Sequence, residues 1–166
     1  KLFIKKYDEE TNLRCQLVID VSSSMYFPKE NPRTKLEFSS IAAASLIHLL
    51  KKQRDAFGLT LFSDSILQNI EPKLTEKNKQ LIYTALNNYL QKENNHSTSN
   101  IIECIHGLAY SLKRRSLVVI FTDLLNTTID DSFDEKFVKA LQHLAFQKHD
   151  LILFYVHQKK TEIELD

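Results

Sequence analysis

The chain has 166 residues, of which 43% are apolar and 26% charged, and its formal net charge is +1. This balance is typical of an ordinary globular domain and excludes both a disordered chain and a protein that coats nucleic acid. No apolar run reaches the roughly 20 residues of a membrane-spanning helix. We therefore expect a single domain over residues 1–166, and because the sequence starts without a methionine, we expect a fragment of a longer protein.

Strand-like and helix-like patterns alternate along the chain. Residues 3–7 alternate apolar and polar side chains, which predicts a short edge strand, and residues 13–21 carry the consecutive apolar side chains of a strand buried on both faces. The later predicted elements are a helix at 35–52, strands at 56–62 and 66–70, helices at 75–90 and 100–113, a strand at 117–121, a helix at 133–149 and a strand at 151–156. This order predicts an α/β fold with a mostly parallel central sheet, helices on both faces and one antiparallel hairpin.

Oxygen-bearing side chains follow the predicted strands where these end. Asp20 ends the first buried strand, and the spacing of Ser22 and Ser24 after it lets the three side chains converge on one side. Asp123 ends a second buried strand, and the carboxyl ends of parallel strands lie at one edge of a sheet. The loop before the helix at 100–113 should reach the same edge. The candidate metal ligands are Asp20, Ser22, Ser24, Asp123 and Ser99, with Thr98 as the alternative to Ser99.

This set has the chemistry of a magnesium site. Mg²⁺ prefers about six hard oxygen ligands and usually keeps several waters. Two carboxylates would cancel the charge of Mg²⁺ or Mn²⁺, and the hydroxyls would add neutral ligands. An open coordination position should then attract a carboxylate from a protein partner. Asp64 lies at the same edge, but such a residue is more often a solvated turn residue, and we leave it outside the set.

The cysteines and histidines do not indicate a disulfide framework or a zinc site. Cys15 and Cys104 lie in apolar segments without CxxC spacing, which predicts buried, reduced thiols and a cytoplasmic setting. The six histidines are scattered and form no HExxH motif, which argues against zinc. We expect His48 and His106 to be partly buried packing residues on helices.

Signatures of catalysis are also missing. The G-x-S-x-G elbow of serine hydrolases does not occur, nor do the GxxxxGK[ST] and GxGxxG loops of nucleotide-binding proteins. A metal-dependent phosphoesterase that uses Asp20 is an alternative, although Ser22 stands where such a mechanism would want a second aspartate. The basic residues 113–115 are predicted to stabilise the end of the third helix rather than to bind nucleic acid. We therefore expect a binding domain and not an enzyme.

Several segments resemble a known family. NLRCQLVIDVSSSM, TKLEF, DAFGLTLF and SNIIECIHGLAYSLKRRSLVVIFTDLLN are similar to the A-domain proteins of the Domain of Unknown Function 58 family. The DxSxS pattern within them resembles the metal-dependent adhesion site (MIDAS) of von Willebrand factor A domains. The resemblance covers the chain from Lys5 to about Val156. Members of this family, which is bacterial, often sit beside MoxR-type AAA+ ATPases.

The resemblance carries several implications. It implies a three-layer, Rossmann-like von Willebrand factor A fold in which Ser22 and Ser24 touch the metal directly, while Asp20 and Asp123 hold it through waters. It also implies a protein-binding role, with a MoxR-type ATPase or its client as the partner; a scaffold with a vestigial metal site is an alternative. The family usually has threonine and aspartate where this chain has Ser99 and Asn100, which would weaken metal binding. Lys35 recurs in the family, and an ordinary surface lysine is the other interpretation.

Overall fold

The computed structural model describes residues 12–28, 33–92, 97–125 and 132–158. Strands and helices alternate within these ranges, and a short 3-10 helix follows the first strand at Ser23–Tyr26. The strands are β1 (Arg14–Asp20), β2 (Ala56–Phe62), β3 (Ile66–Lys73), β4 (Leu117–Thr122) and β5 (Asp150–Tyr155). The helices are α1 (Lys35–Lys52), α2 (Glu76–Leu90), α3 (Ile101–Ser111) and α4 (Phe133–Phe146). The edge strand predicted at residues 3–7 lies outside the described residues.

The described strands form one sheet in the order β3-β2-β1-β4-β5. β1 lies at its centre, pairs in parallel with β2 and β4, and is buried at every residue after Arg14. β5 continues the parallel sheet beside β4, whereas β3 turns back antiparallel to β2. The predicted central strand, parallel sheet and hairpin are confirmed. Because β1, β2 and β4 run in one direction, their last residues, Asp20, Phe62 and Thr122, meet at one edge of the sheet, here called the rim.

Successive residues of the central strand face two separate apolar cores. Leu17 and Ile19 pack in the core that α1 and α2 cover, whereas Val18 packs in the core that α3 and α4 cover. This alternation follows from the two-residue period of a strand, and burial on both sides explains why the segment is apolar without a break. The structure thus has helices on both faces of the sheet, as predicted.

Helix α1 begins at the rim, and its first turn is held by several hydrogen bonds. The Thr34 hydroxyl accepts the Glu37 N–H at 3.0 Å, and the Glu37 carboxylate accepts the Thr34 N–H at 3.0 Å, which makes a capping box. The N–H of Lys35, the first helical residue, donates to the carbonyl of Phe27 at 3.0 Å. The start of α1 is therefore fixed beside the segment that follows β1.

Three element ends differ from the predicted ones by two or more residues, whereas the other differences are of one residue. β3 continues through Pro72, which an outer strand of the sheet tolerates because a proline there has no ladder N–H to supply. α4 ends at Phe146, and Lys148 then adopts a left-handed φ of 64°, which stops the helix. α3 ends at Ser111 and has no basic residue in its last turn, so residues 113–115 follow the helix rather than forming its predicted end. Arg115 instead forms an ion pair with Asp150 at 3.0 Å.

Cysteine and histidine positions match the prediction in part. Cys15 and Cys104 are free and buried, as predicted, and burial, with a smaller contribution from the Asp55 charge, raises the pKa of the Cys15 thiol to about 12. His106 is half-buried, as predicted, and its Nδ1 lies 3.1 Å from Nδ1 of His143. The prediction of partial burial is wrong for His48, which is exposed.

Within the described ranges, no helix has the length and apolar character needed to cross a membrane.

Candidate metal site

Asp20 is the centre of the rim. It ends β1, its exposed fraction is 0%, and its Oδ1 accepts the N–H of Ser22 at 2.9 Å. Its Oδ2 accepts two hydroxyls, from Ser99 at 2.6 Å and from Thr122 at 2.8 Å. One carboxylate therefore ties together the end of β1, the loop before α3 and the end of β4.

The serines after β1 divide into two kinds. Ser22 and Ser24 lie with their hydroxyl oxygens 3.3 Å apart, which brings these two predicted ligands to one place. Ser23 faces the other way, because its hydroxyl and its N–H both contact the carbonyl of Ser97, at 2.9 Å and 3.0 Å. The extended backbone at Ser22, followed by the turn of the 3-10 helix, produces this separation.

The loop before α3 presents Ser99, and not Thr98, to the rim. Ser99 is buried and donates to Asp20, whereas Thr98 is exposed. The neighbouring N–H of Asn100 donates to the Ser63 carbonyl at 2.7 Å, which anchors the loop to the end of β2. Asn100 also caps α3 through its side chain, so the residue that replaces the family's aspartate supports the helix start.

Asp123 lies beside a buried lysine. Its Oδ1 accepts the N–H of Leu125 at 3.1 Å, and its Oδ2 is 2.9 Å from Nζ of Lys35. The Lys35 and Asp123 side chains are 3% and 1% exposed, and Oδ2 accepts no hydrogen bond of good geometry from the described residues, so the contact is an ion pair. The interpretation of Lys35 as an ordinary surface lysine is therefore wrong.

Two residues of the rim were not in the predicted set. Thr122 directly precedes Asp123, and its hydroxyl both donates to Asp20 and accepts the N–H of Leu124 at 3.1 Å. A side chain one residue before a predicted ligand usually faces the opposite side of a strand, so spacing gave no signal for it. The signal for Lys35 was its place at the start of α1, which must lie at the rim because it follows β1.

The electrostatics of the rim favour a cation. Burial raises the pKa of Asp20 above its usual range, although hydrogen bonds from Ser22, Ser99 and Thr122 act in the opposite direction. The buried charged side chains described at the rim are Asp20, Asp123 and Lys35, so with both carboxylates ionised these three side chains carry a net negative charge. The donors are all carboxylate and hydroxyl oxygens, which fit a hard cation such as Mg²⁺. Within the described residues, no group of three or more His, Cys, Asp or Glu side chains could hold a metal ion.

Comparisons with known proteins agree with this fold. The model of the family described as "Protein of unknown function DUF58" matches residues 1–165. No curated protein matches the sequence. Solved structures with the same fold include the conserved hypothetical protein BatB from Bacteroides thetaiotaomicron, with a TM-score of 0.64 and 15% identity over 85% of this chain.

Two further structures extend the likeness. An aerotolerance-related membrane protein from Bacteroides fragilis NCTC 9343, with multiple mutations to serines, has a TM-score of 0.67 and 16% identity and covers 93% of this chain and 75% of its own. The SpRpn10 VWA domain has a TM-score of 0.51 and 13% identity and covers 87% of this chain and 88% of its own. This chain spans 65% of the BatB chain, just under two thirds of its length. The structure has the von Willebrand factor A fold. Because the family model matches almost every residue, the chain belongs to the DUF58 family.

Proposed function

We propose that this domain is a metal-dependent protein-binding module that engages an acidic side chain of a partner. A Mg²⁺ or Mn²⁺ ion would be held by Asp20, Ser22, Ser24, Ser99 and Asp123. The observation that carries the proposal is the hydrogen-bonded network in which Asp20 joins three separate segments of the chain at one point. Such a network places hard oxygen donors together before any ligand arrives, which favours binding because less ordering is required.

Each residue of the proposed metal site would have its own role in binding the ion. Asp20 orients the hydroxyls of Ser99 and Thr122 and neutralises part of the ion's charge. Ser22 and Ser24 offer hydroxyl oxygens directly, and Asp123 supplies the second negative charge. A bound divalent ion would supply an electrophilic position for an anionic oxygen. A partner carboxylate fits that position better than a neutral group does because the ion attracts its charge.

The partner proposed on the family resemblance is a MoxR-type AAA+ ATPase or a client of such an enzyme. The setting proposed is the cytoplasm, which the two free, buried thiols support because a reducing compartment keeps such thiols unpaired.

Calorimetric titration with Mg²⁺ and Mn²⁺ tests the metal part of the proposal. We expect the native protein to bind and Asp20→Ala to lose binding, because this carboxylate joins the end of β1, the loop before α3 and the end of β4. Asp64→Ala is the matched control, since Asp64 is an exposed aspartate at the same edge whose contacts are with its neighbours Ser63 and Ser65. Absence of heat from the native protein at millimolar metal would contradict the proposal.

A second candidate is a binding domain that needs no metal. The observation that favours it is the Lys35–Asp123 ion pair, which already places a cation at the rim. The two candidates differ in their response to chelation. Complex formation with a purified MoxR-type ATPase should be lost in EDTA if the metal makes the contact, and it should survive EDTA if the domain is a metal-free scaffold.

A further inference from the structure

The position of the Lys35 backbone is fixed by hydrogen bonds at the start of α1. It is the first residue of α1, its N–H is bound to the Phe27 carbonyl at 3.0 Å, and its neighbours Thr34 and Glu37 form the capping box. Only 4% of Lys35 is exposed, which is rare for a lysine. The fold therefore directs one ammonium group into the rim.

Burial of this ammonium requires a negative partner. An unpaired buried charge is strongly destabilising, whereas a paired one is tolerated. The partner is Asp123, which is itself 1% exposed and whose Oδ2 lies 2.9 Å from the Lys35 Nζ. In the structure, Lys35 therefore neutralises one of the two carboxylates to which we assign metal binding.

A divalent ion at Asp123 would change this balance. The ion and the ammonium would then be like charges a short distance apart in a buried place, where repulsion is little screened. The ammonium also has somewhere to move. An open hollow of about 410 Å³ adjoins Lys35 and is lined in part by Phe38 and Tyr155, whose side chains are well exposed and whose rings can hold a cation.

We propose that Lys35 is the resident counter-ion of Asp123 and that it competes with the divalent metal for this carboxylate. Lys35 thus sets the metal affinity of the rim, and metal binding releases its ammonium toward the open hollow. This inference rests on the proposed metal-dependent function and deepens it, because it names the residue that determines how much free metal the domain needs.

The first test compares metal affinities by calorimetry in the native protein, Lys35→Met and Lys51→Met. Lys51 is a matched control because it lies on the same helix and pairs with an acid, Glu76, at the surface. We expect Lys35→Met to bind Mg²⁺ about 5- to 150-fold more tightly, which is the usual range of coupling between two sites. Lys51→Met should bind like the native protein.

The outcomes separate this inference from the proposed function. If the native protein binds Mg²⁺ and Lys35→Met binds it equally or less tightly, the inference is overturned while the metal site stands. If only Lys35→Met binds, the inference is supported in its strongest form. If neither binds, both proposals fall.

A second measurement needs no variant and stands even if Lys35→Met does not fold. Acetylation of the native protein is followed at each lysine by mass spectrometry, in EDTA and in saturating Mn²⁺. We expect Lys35 to react slowly in EDTA and faster with Mn²⁺, while the exposed Lys51 reacts at one rate in both. A Lys35 rate that stays the same or falls with Mn²⁺ would overturn the inference.

Discussion

Under the proposed function, Asp20 would favour metal binding but oppose folding. Its carboxylate has no exposed surface, and burial raises its pKa above the usual range despite the hydrogen bonds that it accepts. A buried charge opposes folding where its local contacts do not replace its hydration, because water solvates the charge better in the unfolded chain. The carboxylate at the centre of the proposed metal site is therefore one whose burial costs the metal-free fold stability.

Replacing Asp20 with asparagine separates these two effects. In EDTA we expect Asp20→Asn to be more stable than the native protein, by about 1 kcal/mol, because the charge is gone. The amide can still accept the N–H of Ser22 and can donate to the hydroxyls of Ser99 or Thr122. Urea unfolding measures the difference, with Asp64→Asn at the exposed aspartate as the control. A clear loss of stability in Asp20→Asn would contradict the account of Asp20 as an unfavourable buried charge.

The pair Lys35–Asp123 makes the opposite prediction. Removal of either partner takes away the opposite charge that stabilises the other in its buried position, so we expect Lys35→Met and Asp123→Asn each to lose about 3 kcal/mol of unfolding free energy in EDTA. The double variant removes both charges and should lose much less stability than the sum of the two single losses. Urea unfolding of the four proteins gives this double-mutant cycle. Additive losses would show that the two side chains do not stabilise each other.

At the scale of elements, His149 joins α4 and β5 to the segment before β4. It is 6% exposed and its Nδ1 accepts the N–H of Ser116 at 3.2 Å, which only an unprotonated nitrogen can do. Burial lowers the pKa of His149 below its usual range. The folded state therefore favours the neutral ring more strongly than the unfolded chain does.

The sign of the pH dependence follows from this shift. The contribution of neutral His149 to stability is complete above the unfolded pKa of about 6.5. It is lost as the pH falls from there through the lowered pKa of the folded state. His149→Asn keeps an acceptor but cannot titrate, so the native protein should lose more stability between about pH 7 and pH 5.5 than this variant does. Parallel curves from urea unfolding at several pH values would rule out His149 as the source.

Gly58 of β2 lies between β1 and β3, at a place with no room for a side chain. A Cβ atom there would lie 2.4 Å from Oε1 of Gln16 in β1, 2.5 Å from the carbonyl oxygen of Ile70 and 2.7 Å from the nitrogen of Pro72 in β3. The two β3 atoms are backbone atoms that cannot rotate away. Gly58→Ala should therefore cost about 1–3 kcal/mol or more.

Gly107 of α3 is the natural comparison for Gly58. The nearest atom to its Cβ would be the flexible end of Ile66, at 2.8 Å. Alanine also gains about 1 kcal/mol of helix propensity over glycine, so Gly107→Ala should be close to neutral. Thermal unfolding of the two alanine variants tests both statements, and equal losses would contradict the role of the β3 backbone.

At the scale of the whole molecule, local sequence patterns predict the layers of the fold and some of the residues at the rim. The apolar run that ends at Asp20 predicts a central strand, and the sheet order then brings Ser99 and Asp123 to the same edge. The burial of Lys35 could not be predicted in this way, because it depends on how the first turn of α1 meets the end of β4. Thr122 was missed for a related reason: strand periodicity points it away from Asp123, and only the tertiary structure shows that Asp20 reaches it.

The proposed metal site predicts that the stability of the whole molecule depends on metal. Asp20 connects β1, the loop before α3 and β4, so an ion at this point would bind the folded chain and not the unfolded one. Binding of this kind adds about 2.7 kcal/mol of stability when the free ligand is at 100 times its Kd. We therefore expect Mg²⁺ to raise the thermal midpoint of the native protein and of Asp64→Ala, with a rise that grows with Mg²⁺ concentration, and to leave Asp20→Ala unchanged. Scanning calorimetry at several Mg²⁺ concentrations measures the shift, and an equal rise in Asp20→Ala would place the stabilising ion somewhere other than the rim.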